Sequence, residues 1–202
     1  MLTKIKIAVF VSGGGTNLQA LIDAEKRGEI KSGIIALVLS DKPQAYALER
    51  AKNAGIPTAV LERKAFASQG EYEDAIAALL KEKGIGLIVL AGFMRILGEN
   101  FTKRFDRRII NVHPSLIPSF CGEGFYGLKV HEAALKKGVK VTGATVHFVN
   151  EIPDGGEIIM QKAVCVLPGD TPEVLQKRVM QEAEWIILPQ ATEYVCNQML
   201  NN

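Results

Sequence analysis

Residues 4–24 read KIKIAVFVSGGGTNLQALIDA, and how they are parsed decides the architecture. Ile5 to Val11 is a short, β-rich apolar run that breaks at Ser12 and three consecutive glycines. Behind the glycines, Leu18, Leu21 and Ile22 fall at i, i+3 and i+4, the spacing of one helix face. A buried strand, a glycine turn and an amphipathic helix in succession form the opening of an α/β unit.

The pattern repeats downstream. Strand-like runs at Ile34–Leu39, Thr58–Leu61, Leu87–Ala91 and Ile109–Val112 alternate with helical segments at Tyr46–Ala54 and around Tyr72, Ile76, Leu79 and Leu80. Continuous apolar strands separated by helices imply a parallel sheet covered on both faces. Beyond about residue 140, Val141–Val149 and Ile158–Val166 are longer strands joined across Pro153, Asp154, Gly155 and Gly156. They are expected as an antiparallel pair added to the sheet. Thr171 and Glu173 open a final helix carrying Leu175, Val179 and Trp185. The expectation is therefore α/β: a doubly wound, mostly parallel, Rossmann-like sheet with an antiparallel pair near the C-terminus, as one domain over residues 1–202.

Composition narrows the function. Apolar residues make up 48% and charged residues 23%, and 24 basic against 22 acidic residues leave a net charge of +2 without a basic run. Nucleic acid is not an expected partner. The apolar start is too short for a signal peptide or a membrane span, so neither is expected. Three cysteines, Cys121, Cys165 and Cys196, lack CxxC spacing, which suits a reducing cytoplasm and no metal site.

Two clusters can carry chemistry. In VSGGGTNLQ, Val11 to Gln19, glycines allow backbone N–H groups to approach a ligand, and the helix start behind them favours an anion such as a phosphate. A Walker loop would need a lysine that is absent, and a dinucleotide fingerprint from Gly13 would need glycine at Leu18. A plain turn capped by Thr16 or Asn17 is the structural alternative. In IINVHPSLIP, Ile109 to Pro118, Asn111 and His113 stand on one strand face, and Pro114 holds His113 extended. The pair either ties down a loop or presents an amide and an imidazole to a substrate.

SGGGTNLQALIDA, LAGFMRIL, NVHPSLIP and TVHFVNEIPDGGEII, in this order, resemble the folate-dependent phosphoribosylglycinamide formyltransferases of purine synthesis. The resemblance covers nearly the whole chain. It implies transfer of a formyl group from the cosubstrate 10-formyltetrahydrofolate to the amine of phosphoribosylglycinamide (GAR), without a metal. GAR would be held by Gly14, Gly15, Thr16 and Asn17, with Gln181 and Glu184 on the last helix. The folate would lie against Met94, Arg95, Ile96, Leu97 and Asn111, with Gln69 where relatives carry an arginine for the glutamate tail and Arg63 or Lys64 as substitutes. Asn111, His113 and Asp154 would be the catalytic set, Asp154 favouring the charged form of His113. Counting the last helix back from Pro189 or forward from Arg178 places the glutamate one residue apart, so an extra residue is expected there. The 119–128 loop, SFCGEGFYGL, is long and forms either a flap or packing. His131 and His147 are taken as structural. Related hydrolases and tRNA formyltransferases are expected to be longer chains, and a binding module without turnover would leave the catalytic set unexplained. No oligomeric state follows from the sequence.

Overall fold

A computed structural model describes residues 4–201 of the chain. The first three residues of the N-terminal reading, and Asn202, lie outside the described residues. Strand β1 (Ile5–Val11) leads through the glycine loop to α1 (Thr16–Lys26), then β2 (Gly33–Ser40), α2 (Tyr46–Asn53) and β3 (Thr58–Val60). The chain continues through α3 (Gln69–Lys83), β4 (Leu87–Leu90), α4 (Glu99–Arg104), β5 (Ile109–His113) and α5 (Leu128–Lys137). It ends with β6 (Val141–Phe148), β7 (Ile158–Cys165), α6 (Pro172–Val179), a π-turn at Met180–Glu184, and α7 (Trp185–Asn201). Neither α4 nor α5 is apparent from the sequence pattern. Both are short and flank glycine-rich loops, where hydrophobic periodicity has too few turns to register.

One seven-stranded sheet runs in the order β3-β2-β1-β4-β5-β6-β7. The first five strands pair parallel with one another, while β5–β6 and β6–β7 are antiparallel. The alternation in β1 shows why both faces are covered. Ile7, Val9 and Val11 pack with α1, α2 and α7, and Ala8 and Phe10 pack with Tyr72, Ile76 and Leu80 of α3. A strand buried on both faces has no polar side to present, hence its uninterrupted apolar run.

Strand order reverses at β1, with β2 on one side and β4 on the other. Ligands in open α/β sheets bind beyond the strand carboxyl ends at such a switch point. The glycine loop after β1, residues 91–97 after β4, and the end of β5 all emerge there. Ser12 stitches two of them together: its N–H donates to the Gly92 carbonyl at 3.1 Å, and its hydroxyl accepts the Met94 N–H at 2.9 Å.

Candidate active site

A cavity of about 650 Å³ opens over these strand ends. Asn111 and His113 project into it from alternate positions of β5, as the period of a strand requires. The antiparallel partner adds a residue that sequence reading assigned to structure. Asn111 pairs with His147 across β5–β6, and the Asn111 Nδ2 and His147 Nε2 atoms are 3.2 Å apart. His147 Nδ1 lies 2.8 Å from the Phe148 carbonyl, an acceptor only, so Nδ1 carries the proton and Nε2 accepts from Asn111. His147 thus aims the Asn111 amide. Only the register between the strands reveals this.

Asp154 completes the cluster from the turn between β6 and β7. Its φ of 55° lies in the left-handed region, which Asp tolerates better than most residues. The D-G-G sequence follows from the same tight turn, because a Cβ on Gly156 would collide with the Phe148 carbonyl. Asp154 Oδ2 accepts the Gly122 N–H at 2.9 Å and lies 3.4 Å from His113 Nδ1. Its other oxygen is 3.5 Å from His147 Nε2. Burial opposes the charge of Asp154, but His113, the Gly122 amide and His147, the last when a proton also sits on its Nε2, together hold its carboxyl below the usual value.

His113 is in a contested position. Nδ1 faces Asp154, and Nε2 lies 2.9 Å from the Phe120 carbonyl. Both ring nitrogens therefore face acceptors, an arrangement that only the imidazolium fully satisfies. Burial is the larger effect and lowers the His113 pKa below its ordinary value despite Asp154 and Phe120. Asp154 raises the proton affinity, but the surrounding protein lowers it further.

The 119–128 segment closes one wall of the cavity. Gly122, Phe125 and Tyr126 line it, and the Phe120 and Phe125 rings pack edge-on with centroids 6.4 Å apart. Beneath it, His131 is fully buried, with neither ring nitrogen partnered, and burial pushes its pKa down to about 4. It is neutral at physiological pH. Cys121 is a free, half-buried thiol. Among the described residues no group of three or more His, Cys, Asp or Glu side chains is placed to hold a metal ion, and no helix is long and apolar enough to cross a membrane.

Asn17 lines the cavity, whereas Gly14, Gly15 and Thr16 of the glycine loop lie beside it and outside the lining residues. Gly15 occupies the N-cap position of α1 with φ 72°, and no side chain caps the helix. Neither Thr16 nor Asn17 takes the capping role, so the first amides of α1 remain available to a ligand. Asn17 instead donates from Nδ2 to Glu184 Oε2 at 2.7 Å, and both residues line the cavity. Asn17 Oδ1 is buried without a partner. Glu184 has no cation beside it, and burial pushes its pKa up to about 7.

The π-turn explains the ambiguous count along the last helix. One more residue per turn is accommodated at Met180–Glu184. It also corrects the placement of Gln181, which is exposed and outside the cavity, because i,i+3 positions no longer share a face through a π-turn. Gln176 and Met180 line the cavity instead.

Met94, Arg95, Ile96 and Leu97 form a slot that shares the cavity with residues 150–154. Met94 and Ile96 are 52% and 68% exposed, so the slot offers apolar side chains to the cavity. The buried Asp41 carboxylate holds Arg95 at 2.9 Å. Gln69 lies outside the lining residues. Its amide bridges Arg63 at 3.1 Å and Glu73 at 2.7 Å, and Glu73 also accepts the Gly98 N–H. Gln69 braces the base of the slot and orients Arg63.

The model of the formyl transferase family matches residues 5–192. The chain belongs to that family. Phosphoribosylglycinamide formyltransferase of Haemophilus influenzae is 47% identical over 184 residues, covering 91% of this chain and 84% of that protein. The trifunctional purine biosynthetic protein adenosine-3 of Gallus gallus is 46% identical over 194 residues, 96% of this chain, but the chain spans only 19% of its length. Among solved structures, glycinamide ribonucleotide transformylase 1 from Symbiobacterium toebii superposes with a TM-score of 0.90 at 42% identity, covering 96% of this chain and 89% of that one. The seven-stranded, mostly parallel sheet with its antiparallel C-terminal strands is thus a formyl transferase fold.

Proposed function

We propose that the protein is a phosphoribosylglycinamide formyltransferase, moving a formyl group from 10-formyltetrahydrofolate to the amine of GAR. One observation carries the reading. A single cavity is lined by Asn17 and Glu184, next to the uncapped start of α1, by a slot with exposed Met94 and Ile96, and by the Asn111–His113–Asp154 cluster. Two substrates entering from opposite ends would meet at the cluster. The family match and the Haemophilus influenzae relative support the same substrates.

The chemistry forms a bond from the GAR amine to the formyl carbon and breaks the bond from that carbon to the folate nitrogen. One proton passes from the amine to the departing nitrogen. Asn111, with one amide hydrogen on His147, offers the other to the oxygen on which negative charge develops. His113, neutral when free because it is buried, accepts the amine proton, and Asp154 stabilises the imidazolium that results. Nε2 exchanges its Phe120 partner for the substrate, while Nδ1 stays on Asp154. Thr16, Gly14 and Gly15 hold the phosphate, and Glu184 and Asn17 hold the adjoining sugar. Arg63, set by Gln69, meets the acidic tail of the folate. The reaction proceeds in the cytoplasm and draws on no metal.

Incubation with GAR and 10-formyltetrahydrofolate, followed by mass spectrometry, tests this. Formyl-GAR is expected only when both substrates are present. Release of formate without GAR would point to hydrolysis, and binding of both compounds without product would point to a non-catalytic module.

A further inference from the structure

The glycine loop has to present its amides in one direction, and helix α2 supplies the reason that it does. The Gly13 carbonyl accepts the Ala47 N–H at 3.0 Å, and the Gly14 carbonyl accepts Arg50 Nε–H at 2.8 Å. Each peptide unit is planar and trans, so a carbonyl turned towards α2 sends the next N–H the opposite way. The amides of Gly14 and Gly15 therefore face away from α2. Space is open where Gly13 and Gly14 would carry a Cβ, whereas a Cβ on Gly15 would lie 2.6 Å from Ala47 Cβ. One side of the loop is packed and the other is clear.

Arg50 is itself held in place. Its NH1 donates to Gln19 Oε1 at 3.1 Å, Gln19 donates to Asp23 at 2.9 Å, and the guanidinium lies 5.1 Å from the centre of the Tyr46 ring. The first turn of α1 contains no acidic residue, and the loop has no lysine. The unpartnered, buried Asn17 Oδ1 accepts only, so it calls for a donor such as a hydroxyl on the same ligand, next to the anion rather than on it. A planar guanidinium suits this task better than an ammonium, because its fork can bind the loop carbonyl and Gln19 in one fixed geometry.

We propose that Arg50 is a positioning residue for the phosphate of the substrate. It does not touch the phosphate, but it fixes the Gly14 carbonyl so that the Gly15 amide is aimed at the anion, and it places a positive charge behind the loop. The proposal rests on the GAR reading for its substrate and on the loop geometry for its mechanism.

The test compares wild type with Arg50→Lys, and with Gln19→Ala, which removes only the brace. For Arg50→Lys the GAR KM should rise about tenfold or more, the scale of a lost charge-assisted hydrogen bond. The kcat at saturation and the folate KM should stay within about twofold, because the binding lost is uniform. Gln19→Ala should show a smaller rise of the same kind. Glycinamide riboside, which lacks the phosphate, separates orientation of the anion site from general support of the fold. Its kcat/KM should be unchanged in both variants. An equal fall for the riboside, or an unchanged GAR KM, would overturn the proposal. Calorimetry with inorganic phosphate is independent of turnover, so it tests Arg50 even if the protein does not formylate GAR. Weaker binding to Arg50→Lys than to wild type supports the proposal. Equal binding, or none to either protein, contradicts it.

Discussion

On the proposed reading, the glycine loop and the end of β5 would recognise their ligands by different means. At the glycine loop the ligand-facing groups are backbone amides, oriented by carbonyls that α2 holds from behind. At the end of β5 they are side chains, His113, His147 and Asp154 among them. An amide site keeps its polarity across the pH range and loses function when the backbone moves. The side-chain site tolerates small backbone shifts but depends on which group holds the proton. The proposed function divides binding and chemistry along that line.

Removing the proton carrier should have the largest effect. His113→Asn is expected to lower turnover by about two to four orders of magnitude, the usual scale for acid–base help. The GAR KM should be nearly unchanged, because the phosphate lies at the amide end. Steady-state kinetics with both substrates varied would check this, and a large rise in the GAR KM would erase the proposed division.

A backbone change at the other end should do the reverse. Gly15→Ala places a Cβ at φ 72° and against Ala47. It should weaken GAR binding about tenfold and lower stability by about 1–2 kcal/mol, the cost of a left-handed alanine. Turnover at saturating GAR should survive. Urea unfolding and a GAR titration would measure both, and loss of kcat without loss of affinity would contradict the account.

The smallest effect concerns Glu184, the one titratable group at the amide end whose pKa is strongly perturbed. Its folded pKa of about 7 lies above the ordinary value of 4.5. The folded state therefore favours the protonated acid, an advantage fully present below about pH 4.5 and lost as pH rises through 7. Glu184→Gln keeps a neutral acceptor for Asn17. It should match wild type in thermal stability in acid and exceed it by a few degrees at about pH 8. A difference independent of pH would show that Glu184 is not the titrating group.

The amide end was the more legible in sequence because its strand, glycines and helix face lie within one continuous stretch. Asn111 and His113 were legible for a similar reason, standing two positions apart on one strand. His147 was not, since its role depends on the β5–β6 register, and alternation within a single strand carries no information about its partner. Gln181 was misplaced because the helical period was assumed to run through Met180–Glu184, where the π-turn interrupts it. Gln69 was read as a ligand contact, yet Arg63 and Glu73 engage it. Arg50 is visible only once α2 is docked on the glycine loop.

The central claim is that Asp154 raises the proton affinity of His113 against the larger, opposing effect of burial. NMR titration of the His113 ring in wild type and in Asp154→Asn, alongside the pH dependence of turnover, tests it most directly. In wild type the His113 pKa is already below its usual value through burial, with Asp154 opposing that shift. Removing the carboxylate charge should therefore lower it further. The limb of the rate profile that reports His113 should move to lower pH by the same amount, and turnover should fall about a hundredfold or more. A correctly folded Asp154→Asn protein with an unshifted His113 titration and near-normal turnover would contradict the claim.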